Sequence, residues 1–379
     1  MVNWRDLEHS LAGGSERYAW ECALALRDAG ASVDFLTARE HGQSAGTVTD
    51  GIRIRRRGRQ LSFYPATLAH LIWERLRRRS YDAVIDPENG IPVFVPLVVP
   101  RRTAVVLVMH HVHQQQFLTY FTRPMSDVGR FLEHRLMPWV YRHAPTLVVS
   151  QSTHDEMVRQ LGWDREVVLV PNGAYEAAVE ADHVPPTDHQ LVVLGRLAQH
   201  KRIDLVIRAF ARLRDERPEL RLDVIGRGPV EAELRALVEE LGLQGLVTLH
   251  GFVSEEEKAR LLCAATLQLC ASDAEGWGQV VVEAAAYGVP TLARNVPGLR
   301  DSIRDGRTGW LIGHEDDAPE VVAADLLTAA DTVLTALQDR EERRRVAEEC
   351  RAWAHGFTWA RMHDQVVEVV TQELARRRR

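Results

Sequence analysis

Lysine is nearly absent from this chain of 379 residues, since only Lys201 and Lys258 occur among its 47 basic side chains. Chemistry that proceeds through a lysine imine, such as pyridoxal catalysis, therefore has only two positions to use. Cysteine is also scarce, and its four copies lie far apart, mostly among apolar residues. They predict reduced core thiols rather than a disulfide framework or a zinc site.

Long apolar runs are missing as well. No run approaches the roughly 18–20 apolar residues of a membrane span. The N-terminus has no basic segment followed by an apolar one, which a secretion signal would show. The composition, 45% hydrophobic and 26% charged, is typical of a soluble globular protein. We therefore expect a cytoplasmic protein that is large enough for two domains.

The net charge of −6 is unevenly distributed. The first 170 residues carry 21 basic and 18 acidic side chains, whereas the remainder carries 26 and 35. Two arginine clusters hold most of the basic excess: Arg53, Arg55, Arg56, Arg57 and Arg59, and Arg75, Arg77, Arg78 and Arg79. Such clusters either form a solvated surface or attract anionic lipid. A peripheral contact with the inner face of a membrane therefore stays open.

Apolar β-rich runs alternate with amphipathic stretches along the whole chain, which is typical of parallel sheets with crossover helices. One series of strands is predicted at 32–36, 83–85, 104–109, 146–149 and 167–170. After a turn at 171–173 and a polar segment to 190, a second series is predicted at 191–194, 221–225, 247–249, 267–270 and 291–293. The pattern predicts two doubly wound α/β domains, at 1–175 and 188–358, and a long last helix at about 359–379. Only Met1-Val2-Asn3 precede the first polar loop, so we expect the first strand to be short or missing.

Two glycine-containing loops have the composition of anion sites. Gly13 and Gly14 stand directly before a predicted helix, where free backbone N–H groups favour an anion. Gly195 ends a predicted strand, and Arg196 and Lys201 follow on the loop to the next helix. Cations at the carboxyl end of a sheet suit a diphosphate. The alternatives are an ordinary turn for the first loop and a solvated basic loop for the second.

Two carboxylates, Glu275 and Glu283, stand eight residues apart around a loop that contains Gly276, Trp277 and Gly278. Glu283 lies in an apolar helix and needs a partner, because burying an unpaired carboxylate is costly. Ribose hydroxyls could serve, and a structural ion pair is the alternative. Glu275 precedes the helix and could reach sugar hydroxyls.

These segments together resemble glycosyltransferase family 4. The stretch from Glu275 to Gly288 is similar to that family's E-G-x-G-x-x-x-x-E-A-x-A-x-G, and Gly195 to Lys201 is similar to its G-R-L-x-x-x-K. Further similarities, in order along the chain, are G-G-x-E at 13–16, V-P-N-G at 170–173 and D-G-x-T-G at 305–309. The resemblance covers nearly the full length.

The resemblance implies a GT-B fold, in which two Rossmann-like domains face each other across a cleft and the last helix crosses back onto the N-terminal domain. It implies that Arg196 and Lys201 bind the donor diphosphate, Glu283 the ribose and Glu275 the donor sugar. It also implies transfer with retention of configuration, without a metal, in which the leaving phosphate deprotonates the acceptor. Arg196, Lys201 and the amides of Gly13 and Gly14 would stabilise the charge on that phosphate.

The family also places a histidine after the strand at 104–109, beside the donor sugar. By position this is His110, with His111 as the alternative. His111 and His113 share one face of an extended segment, as metal ligands could, but no third ligand with suitable spacing follows, so no metal is expected. Acceptor contacts are predicted from the same region, at His111, His113, Glu88, Asn89 and Gln114.

The chain departs from the family pattern at two places. Gly298 is kept before D-G-x-T-G, but Pro297 replaces a glycine and Asp301 replaces a glutamate. Trp277 replaces the more common phenylalanine and could touch the donor. Gly226 begins a stretch that resembles the family's G-x-G at a strand end, near which the nucleotide base would lie.

The most direct interpretation is a hexosyltransferase that uses a UDP- or GDP-sugar and no cofactor. Its acceptor would be a glycan, a lipid-linked glycan or a small molecule, and no nucleic acid is expected. A sugar-nucleotide 2-epimerase and a non-catalytic or partner-dependent sugar-nucleotide binder stay as alternatives. A pyridoxal-dependent phosphorylase is disfavoured by the scarcity of lysine.

Overall fold

The structure is a computed structural model that describes residues 1–10, 12–174, 177, 183–186, 190–314 and 317–379, with the side chains of 119 and 120 left aside. The chain forms two compact units. The N-terminal unit comprises Met1–Asn172 and Trp359–Arg379, and the C-terminal unit comprises Gly173–Thr358. Most of the polar segment predicted between the domains, including Tyr175, lies outside the described residues.

The described part of the N-terminal unit holds seven strands and seven helices. The strands are β1 (Asp34–Thr37), β2 (Gly46–Thr49), β3 (Ile52–Arg56), β4 (Ala83–Glu88), β5 (Ala104–Met109), β6 (Thr146–Val148) and β7 (Val168–Leu169). The helices are α1 (Gly14–Asp28), α2 (Phe63–Leu76), α3 (Gln114–Tyr120), α4 (Arg123–Phe131), α5 (Met137–Val140) and α6 (Gln151–Leu161), with the C-terminal helix given below. A π-helix at Leu132–Leu136 joins α4 to α5.

A very short first strand completes the N-terminal sheet. The strand orders are β2-β3-β1 and β4-β5-β6-β7. Val2 forms a parallel bridge with Leu36 of β1, and its N–H donates to the carbonyl of Ile85 in β4 at 3.0 Å. Residues Met1 to Asn3 therefore lie between β1 and β4, so that, of the two predicted alternatives, the first strand is short rather than missing.

The described part of the C-terminal unit contains a six-stranded sheet and seven helices. The strands are β8 (Gln190–Leu194), β9 (Arg221–Ile225), β10 (Val247–Gly251), β11 (Leu267–Cys270), β12 (Thr291–Arg294) and β13 (Gly309–Ile312). The helices are α7 (Ile203–Glu216), α8 (Glu231–Glu240), α9 (Glu255–Ala264), α10 (Gln279–Ala286), α11 (Leu299–Ser302), α12 (Pro319–Ala336) and α13 (Arg340–Ala354).

All neighbouring strands of this sheet are parallel, in the order β10-β9-β8-β11-β12-β13. The chain winds outward in one direction from β8 and in the other direction from β11. The boundary between β8 and β11 is thus a topological switch point, where the loops after the two strands diverge and α/β proteins bind ligands.

The last helix, α14 (Trp359–Arg378), belongs to the N-terminal unit and packs on α1 and β5. Trp359 is buried, and the guanidinium of Arg17 lies 5.9 Å from its ring centre. His363 Nε2 lies 2.7 Å from the buried carboxylate of Glu21. The helix therefore contributes both apolar and ionic contacts to this unit.

The sequence patterns explain most of these elements. Strand β5 is a run of six apolar residues, all buried, as expected for a central parallel strand. Three of the described helices begin at a side chain that accepts an N–H of the first turn, namely Ser150, Ser254 and Asp339. Among the described helices, none combines the length and apolar character that a membrane span needs.

Two regions differ from the sequence prediction. The arginine cluster at 53–57 lies largely on β3, where Ile52 and Ile54 are buried and Arg53 is exposed. This alternation has the period of a strand, but the arginines conceal its hydrophobic pattern. The hydrophobic pattern also predicts a helix at 67–79, whereas α2 begins at Phe63 and ends at Leu76.

The backbones after β8 and β9 approach so closely that one residue has to be glycine. Gly226 has φ +138°, and a Cβ there would overlap the carbonyl oxygen of Gly195. We expect Gly226→Ala to destabilise the C-terminal unit by about 2 kcal/mol or more, since overlap and backbone strain add. Urea unfolding followed by circular dichroism measures this loss.

Gly242→Ala is the matched control, because Gly242 also has a positive φ, +66°, but a Cβ there meets open space. It should lose only about 1 kcal/mol. Equal losses for the two variants would contradict the close approach.

Candidate functional site

The switch point of the C-terminal unit brings two predicted loops together. The loop after β8 carries Gly195, Arg196 and Lys201, and the loop after β11 carries Ser272 and Glu275. All five residues line one small pocket. Because the two strands are adjacent and parallel, their carboxyl ends meet at the same edge of the sheet.

A lysine and a carboxylate form an ion pair at the centre of this pocket. Lys201 Nζ contacts Glu275 Oε1, and the hydroxyl of Ser272 donates to the same oxygen at 2.8 Å. The two charged side chains are only 20% and 12% exposed, so water screens them little. The site therefore presents a cation and a hydrogen-bond acceptor side by side.

Neighbouring contacts fix the positions of the two loops. The N–H of Asp273 donates to the carbonyl of His200 at 2.8 Å, which joins one loop to the other. Asp273 also accepts from the buried guanidinium of Arg294 at 2.5 Å. Burial, together with the charge of Lys201, lowers the pKa of His200 to about 4, so His200 is neutral at pH 7.

The loop between Glu275 and α10 packs closely against Gly298. Gly298 has φ +80°, and a Cβ there would overlap the carbonyl of Glu275. Gly276 and Gly278 flank Trp277, which is buried, with its ring centre 5.0 Å from that of Phe357. Trp277 thus packs inside the unit.

Glu283 on α10 has two partners. Gln279 Nε2 donates to Glu283 Oε1 at 3.0 Å, and Lys258 Nζ lies 3.4 Å from Oε2. Burial by itself would lower the pKa of Lys258, but the carboxylates of Glu283 and Glu255 raise it. An ion pair, one of the two predicted environments for this carboxylate, is therefore present. Glu283 stays 21% exposed, and ribose binding stays a prediction.

In the N-terminal unit, the predicted glycine loop starts α1. The N–H of Gly13 donates to Glu16 Oε2 at 2.8 Å, and Arg5 Nε lies 2.9 Å from the other oxygen of this buried carboxylate. The N–H of Gly13 is therefore already hydrogen-bonded to the side chain of Glu16. The amides of Gly14 and Ser15 have no acceptor within the helix, because α1 begins there.

His110 follows β5 and is buried against the edge of the Tyr18 ring, with ring centres 5.1 Å apart. Burial lowers the pKa of His110 to about 3, so its imidazole is neutral. Its Nε2 has no hydrogen-bond partner among the described residues. His111 Nε2 instead lies 3.1 Å from Gln116 Oε1.

The predicted acceptor residues bond mainly to one another or to other buried groups. Asn89 donates to Asn3 Oδ1 at 2.7 Å, which joins β4 to the first strand. His113 Nδ1 lies 2.9 Å from Glu88 Oε2, and Gln114 donates to Glu133 Oε2 at 2.6 Å. Their acceptor roles stay predictions.

Burial raises the pKa of Glu88 to about 7, although the nearby imidazole of His113 opposes this shift. Burial by itself would lower the pKa of His113, but Glu88 and Glu133 raise it to about 10. His113 therefore carries the positive charge of this cluster, and Glu88 releases its proton less readily than a free glutamate does.

Sequence reasoning missed several of these residues, chiefly Asn3, Glu133, Ser272, Asp273 and Arg294. Glu133 carried a usable signal, because it stands in the run Phe131-Leu132-Glu133 and a carboxylate among apolar residues needs a partner. Asn3, Asp273 and Arg294 had no signal, since the partners described above are distant in sequence. Ser272 stands only three residues before its partner Glu275 and was overlooked.

Two family models match the chain, one for each half. A model described as "Glycosyl transferase 4-like domain" matches residues 13–173, and one described as "Glycosyl transferases group 1" matches residues 176–353. Together they span nearly the whole sequence.

Curated relatives agree with these models. A D-inositol 3-phosphate glycosyltransferase of Streptomyces scabiei is 34% identical over 49% of this chain and 42% of its own length. One of the same name from Pseudarthrobacter chlorophenolicus is 29% identical over 84% of each chain. The chain spans about half the length of the first curated relatives it matches.

Solved structures support the same fold. Sucrose-phosphate synthase from Thermosynechococcus elongatus has a TM-score of 0.78 at 20% identity, over 99% of this chain and 98% of that one. HepE of Anabaena in complex with UDP-glucose has a TM-score of 0.70 at 16% identity, over 98% of both chains. The predicted GT-B fold is confirmed by these likenesses, and the two family models show that this chain belongs to the group 1 glycosyltransferases, with a glycosyltransferase 4-like N-terminal domain.

Proposed function

We propose that this protein transfers a hexose-type sugar from a nucleotide-diphosphate sugar to an acceptor hydroxyl, with retention of anomeric configuration. One observation carries the proposal: the only two lysines of the chain contact Glu275 and Glu283, the two glutamates of the family-like stretch at 275–288. Lysine is a compact cation on a flexible stem that can change partners, and it suits a site in which a phosphate competes with a carboxylate.

The donor diphosphate would bind at Arg196 and Lys201. As it binds, Lys201 would exchange Glu275 for a phosphate oxygen, and the carboxylate of Glu275 would then accept hydrogen bonds from the donor sugar. During transfer the bond between the anomeric carbon and the phosphate oxygen breaks, and negative charge grows on the leaving phosphate. Arg196 and Lys201 stabilise that charge more in the transition state than in the ground state.

Retention requires the acceptor oxygen to bond to the anomeric carbon on the face that the phosphate leaves. In our proposal the leaving phosphate itself takes the proton of the acceptor hydroxyl, so no side chain has to act as the base. Arg196 and Lys201 supply the positive charge at the diphosphate, and we propose that transfer needs no added metal. His110, neutral because it is buried, would hydrogen-bond a sugar hydroxyl.

A UDP- or GDP-sugar is the proposed donor, and UDP is the first nucleotide to test, because HepE has been crystallised in complex with UDP-glucose. The relatives named D-inositol 3-phosphate glycosyltransferase add a phosphorylated polyol to the acceptors to be tried. Glycans, lipid-linked glycans and small molecules complete the set. The free cysteines fit a reducing, cytoplasmic setting.

A basic groove in the N-terminal unit supports a peripheral contact with the inner face of a membrane. Its volume is about 780 Å³, and its lining includes Arg53, Arg55, Arg57, Arg77 and Arg79. Of these five arginines, only Arg53 and Arg55 lie within 3.2 Å of the carboxylate of Asp34. Trp73, on the same groove, is half exposed. Arginines beside an exposed tryptophan suit anionic lipid headgroups.

Glu275→Ala should lower the turnover of the best donor by about 100-fold or more, because it removes a contact to the reacting sugar. Binding of the free nucleoside diphosphate should persist, since the cations remain. Radiolabelled sugar transfer and calorimetric titration measure the two effects. Glu257→Ala, an exposed carboxylate on α9 paired with Arg260, is the control and should behave as wild type. Unchanged turnover in Glu275→Ala would remove Glu275 from the site.

Lys201→Ala should weaken donor binding and slow transfer together, because one of two phosphate cations is lost. A nucleoside diphosphate at about 100 times its Kd should add about 2.7 kcal/mol to the stability of the wild type. In a thermal-shift screen of UDP, GDP, dTDP and ADP, the variant should therefore show a smaller shift at the same concentration. Arg260→Ala is the control. If none of the nucleotides shifts the wild type, the donor proposal fails.

Reversing two groove charges, in Arg77→Glu/Arg79→Glu, should reduce binding to anionic vesicles by about tenfold or more, at about 1 kcal/mol for each basic residue. Co-sedimentation with phosphatidylglycerol vesicles at low and high salt measures it, with phosphatidylcholine vesicles as the neutral reference. Arg340→Glu/Arg344→Glu on α13 makes the same charge change elsewhere. Equal binding by both double variants would assign the groove to a solvated surface.

A further inference from the structure

Three side chains from separate parts of the N-terminal unit converge in its interior. Glu88 ends β4, His113 follows β5, and Glu133 lies in the π-helix Leu132–Leu136. One donor atom from each lies within 4.8 Å of the other two. Single π-helical turns often occur at functional sites, and this one belongs to the segment that carries Glu133 into the cluster.

The cluster has more negative than positive charge. Both carboxylates are fully buried, and His113 is 8% exposed. Among the described residues, His113 is the only basic side chain within ion-pair distance of either carboxylate. Even with a protonated imidazole, one negative charge is left in excess. Such a charge is costly in the interior of a protein unless a proton on one carboxylate or a further cation neutralises it.

The directions of the groups point to a shared cation as well. His113 Nδ1 lies 2.9 Å from Glu88 Oε2 and 3.5 Å from Glu133 Oε1. At these short distances, neither His113 Nδ1 nor either oxygen of Glu88 has a correctly directed hydrogen-bond partner among the described residues. His113 Nδ1 and Glu88 Oε2 therefore lie close together without the directed geometry of a hydrogen bond. Ligands about 2.0–2.2 Å from one metal ion have this arrangement, since their lone pairs converge on a common point.

Glu133 has the outer contacts of a metal ligand. The N–H of His113 donates to its Oε1 at 2.6 Å, and Gln114 Nε2 donates to its Oε2 at 2.6 Å. Arg130 Nε, in turn, donates to Gln114 Oε1 at 3.3 Å. Such contacts orient a carboxylate and are common around metal ions.

We propose that Glu88, His113 and Glu133 bind one divalent transition-metal ion, Zn²⁺ or Mn²⁺, through Oε2, Nδ1 and Oε1. One imidazole nitrogen and two carboxylate oxygens suit these ions. A divalent ion with a neutral imidazole balances the two carboxylates. It cross-links β4, the segment after β5 and the π-helix, and so fixes the loops that carry Asn89 and His110. The ion is structural and takes no part in the transfer step proposed above.

The test uses the full-length protein after removal of metal by chelating resin. Titration with ZnCl₂, and separately with MnCl₂, should give one ion per chain by plasma mass spectrometry after desalting. The ion at about 100 times its Kd should raise the midpoint of thermal unfolding by about 5 °C or more. Co²⁺ in place of the ion should give visible absorption bands that report nitrogen and oxygen ligands, which tests the wild type even if a variant does not fold.

Glu88→Gln and His113→Gln should each weaken Zn²⁺ binding at least 100-fold and abolish the midpoint shift. The matched control is His363→Gln, because His363 also pairs with a buried carboxylate, Glu21, in the same unit. That variant should bind the ion as the wild type does.

Two results would overturn the proposal. One is less than about 0.1 ion per chain together with no midpoint shift for either metal. The other is a loss of binding in His363→Gln as large as that in the two cluster variants. In the first case, ¹⁵N spectra that show both ring nitrogens of His113 protonated would assign the cluster to an ion pair. Neither result depends on donor binding, so the proposed transfer activity is tested separately.

Discussion

Carboxylates that leave water need a positive partner, and this requirement organises both units of the structure. In the C-terminal unit, Glu275 is paired with Lys201, and Glu283 with Lys258. In the N-terminal unit, Arg5 holds the buried Glu16 at the start of α1. Each of these pairs joins segments that are distant in sequence or anchors a loop. The charges therefore fix the loops at the sheet edges more firmly than hydrophobic packing alone would.

The pairs differ in how completely they are enclosed, and this difference separates the two proposals. Lys201 and Glu275 are partly exposed. A phosphate can therefore replace Glu275 as the partner of Lys201, and a sugar hydroxyl can replace Lys201 as the partner of Glu275. Glu88 and Glu133 have no exposed surface, so protein encloses them. A small ion can still reach such a cluster and stay bound there. The first arrangement suits turnover, whereas the second suits permanent cross-linking.

Much of the fold followed from hydrophobic periodicity. The strands predicted at 104–109, 221–225 and 267–270 have the observed bounds, because buried parallel strands are nearly continuous apolar runs. The hairpin β2–β3 was missed, since alternating arginines conceal its inward-facing isoleucines. The third ligand for His113 was sought by spacing along the chain, but Glu88 and Glu133 stand 25 residues before and 20 residues after it. Spacing rules cannot detect ligands that only chain topology brings together.

The sequence by itself determined the α/β class, the two series of strands and the motif residues, because these depend on local hydrophobic pattern and on residue chemistry. Only the tertiary structure decided which groups meet: that each lysine contacts one motif glutamate, that Gly226 and Gly298 have no room for a side chain, and that two buried carboxylates share His113. The reason is physical. Contacts between distant segments follow from strand order and close packing, and neither is written in the residues of any one segment.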